Sequence, residues 1–290
     1  MIEVCTYPLT YTPVFSILIP SWNNLDFLRL CIHSIKKNSQ LPHQIIVHVN
    51  EGADGTREWL KQQHIDHTFS SVNTGICLGM NAAASLAAAD YLLYLNDDMY
   101  VCPQWDVFLY EEIKKINSCY FYLSATMIEP RKTGNPCVVY ADFGSSVSSF
   151  RENELLEALS SLPSRDWAGA TWPPSLMHRM LWNLIGGFSI EFSPGMYSDP
   201  DISMKLWKAG VRYFKGVGRS KVYHFMSKTT GRINKNPGRK QFLHKWQMSS
   251  STFLRFYLNL GQPFSSPAEI PSGLWFKMAV LKDKIKLMLP

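Results

Sequence analysis

The chain has 290 residues, of which 46% are hydrophobic and 18% charged, with a formal net charge of +6. This is the balance of a globular protein able to bury one large core, with or without a small appendage. No uninterrupted apolar run reaches the roughly 18 residues of a membrane span, and six scattered cysteines without a CxxC pair, in a chain without a glycosylation sequon, suggest buried free thiols and neither a zinc cluster nor a disulfide framework.

The N-terminus MIEVCTYPLTYTP lacks the charged start and apolar middle of a secretory signal, so a cytoplasmic location is expected. Lysines and arginines gather after about residue 205, which favours an anionic partner such as nucleotide phosphate or anionic lipid. No nucleic-acid module is visible, and nucleic acid is not expected as a partner.

In chain order, VFSILIP from Val14 reads as a strand, followed by the turn SWNN and an amphipathic helix from Leu25 to Lys37. That helix has Phe27, Leu28, Cys31, Ile32 and Ile35 on one face. QIIVHVN is a second strand, EGADGT a loop and Arg57 to Gln63 a helix. The segment SVNTGICLGMNAAASLAAAD ends in alanines that favour helix, and YLLYLNDDM is the next strand. Alternation of strand and helix predicts a mostly parallel sheet covered on both faces. Beyond Val101 the periodicity loosens. YFYLSATMI and CVVYADF are strand-like, RENELLEALSSL is helical, SRDWAGATWPP is an aromatic loop, and Met177 to Leu184 reads as a helix ending at Gly186-Gly187. The expected division is a nucleotide-side half over 1–100, an acceptor-side half of the same domain over 101–262, and a tail over 263–290.

Tyr91 to Met99 is the most telling stretch. A short apolar strand there ends in Asn96, Asp97 and Asp98. Ligands of open α/β sheets collect at the carboxyl ends of strands, and adjacent carboxylates there favour a hard divalent cation. A solvated Asp-Asp turn is the other reading.

The pieces ILIPSWNN, VNEGADGT, NTGICLGMN, LNDDM, IGGF, MYSDPDISMKLWKAG and VYHF, in this order over about residues 14 to 226, resemble the family 2 glycosyltransferases. That resemblance implies a GT-A fold, a nucleotide-sugar donor and an inverting transfer. It places Pro20, Asn23, Asn50, Glu51, Asn73, Gly75, Asn81, Asn96 and Asp97 around the donor nucleotide. Asp98 and His224 become ligands of Mn²⁺ or Mg²⁺, and Asp199 the base that accepts the acceptor's proton. A helix cap is the alternative for Asn23 and for Asp199, and a structural histidine for His224.

Three positions depart from the family pattern. Asn50 stands where an aspartate is usual, which leaves the base open although UDP is the expected nucleotide. Asn96 removes one charge from the metal site. Ser198 replaces the acidic neighbour of Asp199, so a lower pKa than in the typical member is expected for that base. Lys228 and Arg232 either neutralise the leaving diphosphate or are surface charges. Trp167, Trp172, Gly187 and Asp201 are expected on the acceptor side; the tryptophans closing over the core, and Asp201 capping the helix ISMKLWKAG, are the other readings.

In the tail, Leu274, Met278, Leu281, Ile285 and Met288 form an apolar stripe at helical spacing among Lys277, Lys282, Lys284 and Lys286. The stripe fits an anionic membrane surface, and equally packing on the domain or a homodimer. The expected activity is transfer of a sugar to a glycan or lipid-linked glycan at the inner face of the membrane. A catalytically decayed glycan-binding or scaffold subunit is the alternative. A nucleotidyltransferase would need a glycine-rich basic loop where PSWNN stands.

Overall fold

The computed structural model describes residues 1–227 and 235–288. Its strands are β1 (Ile2–Cys5), β2 (Phe15–Trp22), β3 (His43–Asn50), β4 (Asp66–Ser70), β5 (Tyr91–Tyr94), β6 (Met99–Val101), β7 (Phe121–Glu129), β8 (Val138–Tyr140), β9 (Trp167–Ala168), β10 (Ser175–His178) and β11 (Tyr213–His224). Its helices are α1 (Leu25–Asn38), α2 (Thr56–Gln62), α3 (Gly75–Ala84), α4 (Trp105–Ile116), α5 (Glu152–Ala158), α6 (Arg179–Ile185), α7 (Ser198–Lys208), α8 (Gly238–Trp246), α9 (Ser250–Thr252) and α10 (Leu274–Met288).

All strands join one sheet, in the order β1-β4-β3-β2-β5-β10-β7-β11-β6, with β8 beside β7 and β9 beside β11. The N-terminal segment β4-β3-β2-β5 is parallel throughout, and β7 also runs parallel to β11. Along β2, Ile17 and Ile19 enter one core cluster and Leu18 the other, because alternate side chains point to opposite faces. The first cluster takes Leu28, Cys31, Ile32 and Ile35 of α1; the second takes Cys77, Met80 and Ala83 of α3. Each large apolar side chain so buried contributes about 1.5–3 kcal/mol.

Several local expectations are corrected. The helix expected from Met177 begins only at Arg179, because Ser175–His178 is strand β10, paired antiparallel with both β5 and β7. That strand stitches the two halves of the sheet together. The alanine-rich helix stops at Ala84, since side chains of the sheet capture the next turn. Gln44 accepts from Ala88 N and donates to Leu86 O, and Ser16 Oγ accepts from Ala89 N. Tertiary bonds here outweigh alanine's helix propensity. Helix α4 was hidden by its neighbours, although Trp105, Leu109 and Ile113 recur every four residues and are buried. Gly186 does end α6 in the left-handed conformation, at φ 71°.

Candidate active site

The carboxyl ends of β2, β3 and β5 open onto a cleft of about 370 Å³, closed on its far side by the end of β11 and the loop before α7. Pro20, Asn50, Asn73, Gly75, Asn96, Asp97, Asp98 and His224 all line it. Strand pairing explains the convergence of Asp98 and His224. The parallel register sets Tyr223 opposite Ile128, which brings His224 beside Glu129, and β6 sets Met99 opposite His224, which brings Asp98 beside the same ring. A register shift in β11 between Val217 and Lys221 lets one strand satisfy both neighbours.

His224 Nδ1 lies 3.1 Å from Glu129 Oε1, and Nε2 lies 3.6 Å from Asp98 Oδ1. Asp98 also accepts from Ser227 N at 2.7 Å. Burial pulls the His224 pKa down, but the hydrogen bond to Glu129 and the charge of Asp98 outweigh it, and the net shift is upward. No group of three or more His, Cys, Asp and Glu residues among the described residues is placed to hold a metal. The pair Asp98–His224 nonetheless fits a divalent ion that takes its other ligands from diphosphate and water, with Glu129 fixing the tautomer that leaves Nε2 available.

The remaining donor-side residues divide by where their polar atoms point. Asp97 Oδ2 accepts from Ser21 Oγ at 2.8 Å. Asn50 Oδ1 accepts from Thr74 N and Oγ1, so the amide orientation is fixed by a backbone donor. Among the described residues its nitrogen meets no acceptor. Asn73 Oδ1 accepts from Gly75 N, and Gly75 itself, at φ 78°, leaves no room for a side chain. Asn23 stands just behind the cleft, donating to Glu51 and accepting from Ala53 N. Trp22 Nε1 also donates to Glu51. Asn23 is therefore a brace between two loops and not a cap; the first free N–H of α1, at Leu25, is met by Asp54.

Asn81 does not reach the cleft. Its side chain forms a reciprocal pair with the backbone of Phe188, at 2.8 Å in both directions, and so pins the Gly-Gly turn. Lys228 and Arg232 lie outside the described residues.

Asp199 sits in the first turn of α7, half-buried, close enough to Cys77, Tyr94 and Tyr122 to raise the pKa of each. Burial pushes its own carboxyl up to about 7. Ser198 puts no charge beside it, its Oγ donating to Gly195 O, and desolvation alone sets the outcome, so the carboxyl is raised and not lowered.

None of the four residues expected to meet the acceptor lines the cleft. Trp167 is 4% exposed, packs against Gly216 where no Cβ would fit, and donates to Thr126 Oγ1. Trp172 lies half-buried against the main core. Gly187 is buried under Asn81 and Trp182, its carbonyl held by Lys205 Nζ. Asp201 is not a cap, because α7 starts three residues earlier. It is buried and receives Trp246 Nε1 at 2.8 Å and Lys245 Nζ at 2.9 Å. Position in the chain could not distinguish a loop that faces solvent from one folded under the sheet. Glu129 was missed, although a carboxylate directly after YFYLSATMI gives the same strand-end signal that exposed Asp97 and Asp98.

Comparison with known proteins agrees with this architecture. Residues 16–133 match the family model described as Glycosyl transferase family 2. The chain is 23% identical over 240 residues to the teichuronic acid biosynthesis glycosyltransferase TuaG of Bacillus subtilis, covering 76% of this chain and 93% of that protein. It is 24% identical over 240 residues to the O-antigen biosynthesis protein RfbC of Myxococcus xanthus, covering 75% of this chain but only 18% of RfbC. A crystal structure of GalNAc-T7 with UDP, GalNAc and Mn²⁺ superposes with a TM-score of 0.57 at 15% identity, over 95% of this chain and 55% of the other. A sheet of GT-A type, a strand-end Asn-Asp-Asp at the cleft and the family match lead to one statement: residues 16–133 match glycosyl transferase family 2, within a chain whose fold is of GT-A type.

Proposed function

We propose that the protein transfers a sugar from a UDP-sugar to a glycan or lipid-linked glycan of a bacterial surface polysaccharide, with inversion and with the help of a divalent metal. The observation that carries this reading is the meeting of Asp98 and His224 in the cleft where the parallel strands end. UDP and Mn²⁺ are named with GalNAc-T7, and polysaccharide assembly with TuaG and RfbC, which supports the donor, metal and product class.

In this mechanism the Asn50 amide donates to a base carbonyl, while Asn73 and Asn96 contact ribose or diphosphate. Asp98 and His224 Nε2 hold Mn²⁺ or Mg²⁺, which when bound neutralises charge on the departing diphosphate. The acceptor hydroxyl attacks the anomeric carbon, the C–O bond to the diphosphate breaks with its electron pair leaving on phosphate oxygen, and the hydroxyl proton passes to Asp199. A carboxylate with a pKa of about 7 is a stronger base than an ordinary aspartate, and about half of it is ionised at neutrality.

Calorimetric titration with UDP, GDP, CDP and dTDP, each with Mn²⁺ and with EDTA, tests the donor side. Manganese-dependent binding of UDP is expected. Binding of none of the four would overturn the reading in favour of a glycan-binding subunit without transferase activity.

A further inference from the structure

Helix α10 is attached by one side only. Asp283, 1% exposed, accepts from Ser249 N and Oγ, each at 2.9 Å, and from Lys286 Nζ at 2.7 Å. Phe276 packs on Phe256 and Tyr257. These contacts fix the rotation of the helix. At about 100° per residue the stripe Leu274, Met278, Leu281 and Ile285 then points away from the domain, and these side chains are 70%, 51%, 59% and 52% exposed. The sequence alone left open whether the stripe packs on the domain; it does not.

We propose that this face docks on an anionic lipid bilayer. Lys277 and Lys284 border the stripe on one edge and Lys282 on the other, with Trp275 exposed beside Lys282. After Asp201 the chain has only two acidic residues, Glu269 and the buried Asp283. An apolar strip edged by lysines matches a headgroup layer, where the strip enters the acyl boundary and the ammonium groups stay at the phosphates. A second copy of the helix fits less well. The helix has 15 residues, about two heptads, and both edges of the stripe carry lysine with no acidic partner, so paired helices would appose like charges. No helix among the described residues is long and apolar enough to cross a membrane, so the contact is interfacial.

The test uses the full chain, cosedimented with vesicles of phosphatidylcholine alone or with added phosphatidylglycerol, at low and high salt. Two variants, Leu281→Asp with Ile285→Asp and Lys277→Glu with Lys284→Glu, change only exposed positions, and thermal unfolding followed by circular dichroism checks that the fold is intact. Binding is expected only with phosphatidylglycerol, weakened by salt, and reduced roughly tenfold or more in both variants. Absence of binding, equal binding to both lipids, or binding unaffected by the variants would overturn the proposal. So would a dimer, seen by sedimentation equilibrium without lipid, that Leu281→Asp with Ile285→Asp dissolves. The outcome is independent of whether UDP binds, so this surface and the sugar-transfer reading fail separately.

Discussion

Glu129 Oε1 lies 3.1 Å from His224 Nδ1, and this one contact turns the other ring nitrogen toward Asp98. The carboxylate is buried at the end of β7 and does not line the cleft. Glu129→Ala is expected to weaken Mn²⁺-dependent UDP binding by about 10- to 100-fold, the usual cost of losing the group that orients a metal-binding histidine. Glu129→Gln, which retains an acceptor for Nδ1–H, should lose less. Calorimetry with Mn²⁺ and UDP reads both; equal affinity in wild type and Glu129→Ala would remove the positioning role.

Asp199→Asn should reduce transfer by about 10² to 10⁴-fold, the range for loss of a general base, while UDP affinity stays near wild type. The same change should stabilise the fold at alkaline pH. The folded-state pKa of about 7 stands above the ordinary 3.8, so the native protein loses stability as pH rises from 3.8 through 7, and the loss is complete above that. The full effect is on the order of a few kcal/mol. Thermal unfolding at pH 4 and pH 8 checks the sign: the gain in Tm for Asp199→Asn must be larger at pH 8.

The pH–rate profile follows from the same group. With a base near 7, kcat/KM should rise roughly tenfold per pH unit on the acid side and level off above neutrality. A profile already flat from pH 5 would show that an ordinary carboxylate, or none, takes the proton.

Asn81→Ala separates a structural role from donor binding. Loss of both bonds to Phe188 leaves buried backbone groups unpaired and should cost about 1–3 kcal/mol in urea unfolding. UDP affinity should be little changed. Preserved stability with lost UDP binding would return Asn81 to the donor site.

A Cβ on Gly75 would stand 2.6 Å from the Cα of Pro194 at φ 78°, where the start of α3 meets the loop before α7. Gly75→Ala should therefore cost at least ~1–2 kcal/mol from the left-handed backbone alone, and shift the loop that leads into the first turn of α7, where Asp199 sits. Chemical denaturation together with kcat at saturating donor measures the two effects.

The sequence by itself determined the parallel N-terminal part of the sheet and the cleft at its end. There the signals are local: an apolar run followed by Asn96-Asp97-Asp98, or an amphipathic helix after PSWNN, owes its structure to side-chain periodicity that a short window contains. What only the tertiary structure decided depends on contacts between segments far apart in the chain. Strand β10 looks helical until β5 and β7 flank it, and the alanines after Ala84 leave the helix because Gln44 and Ser16 bond their backbone. Trp167 and Asp201 are buried by Gly216 and Trp246, neither of which a local reading connects to them. The same holds for the tail. Its stripe was legible as a period, but which way it faces was set by Asp283 bonding to Ser249, 34 residues away.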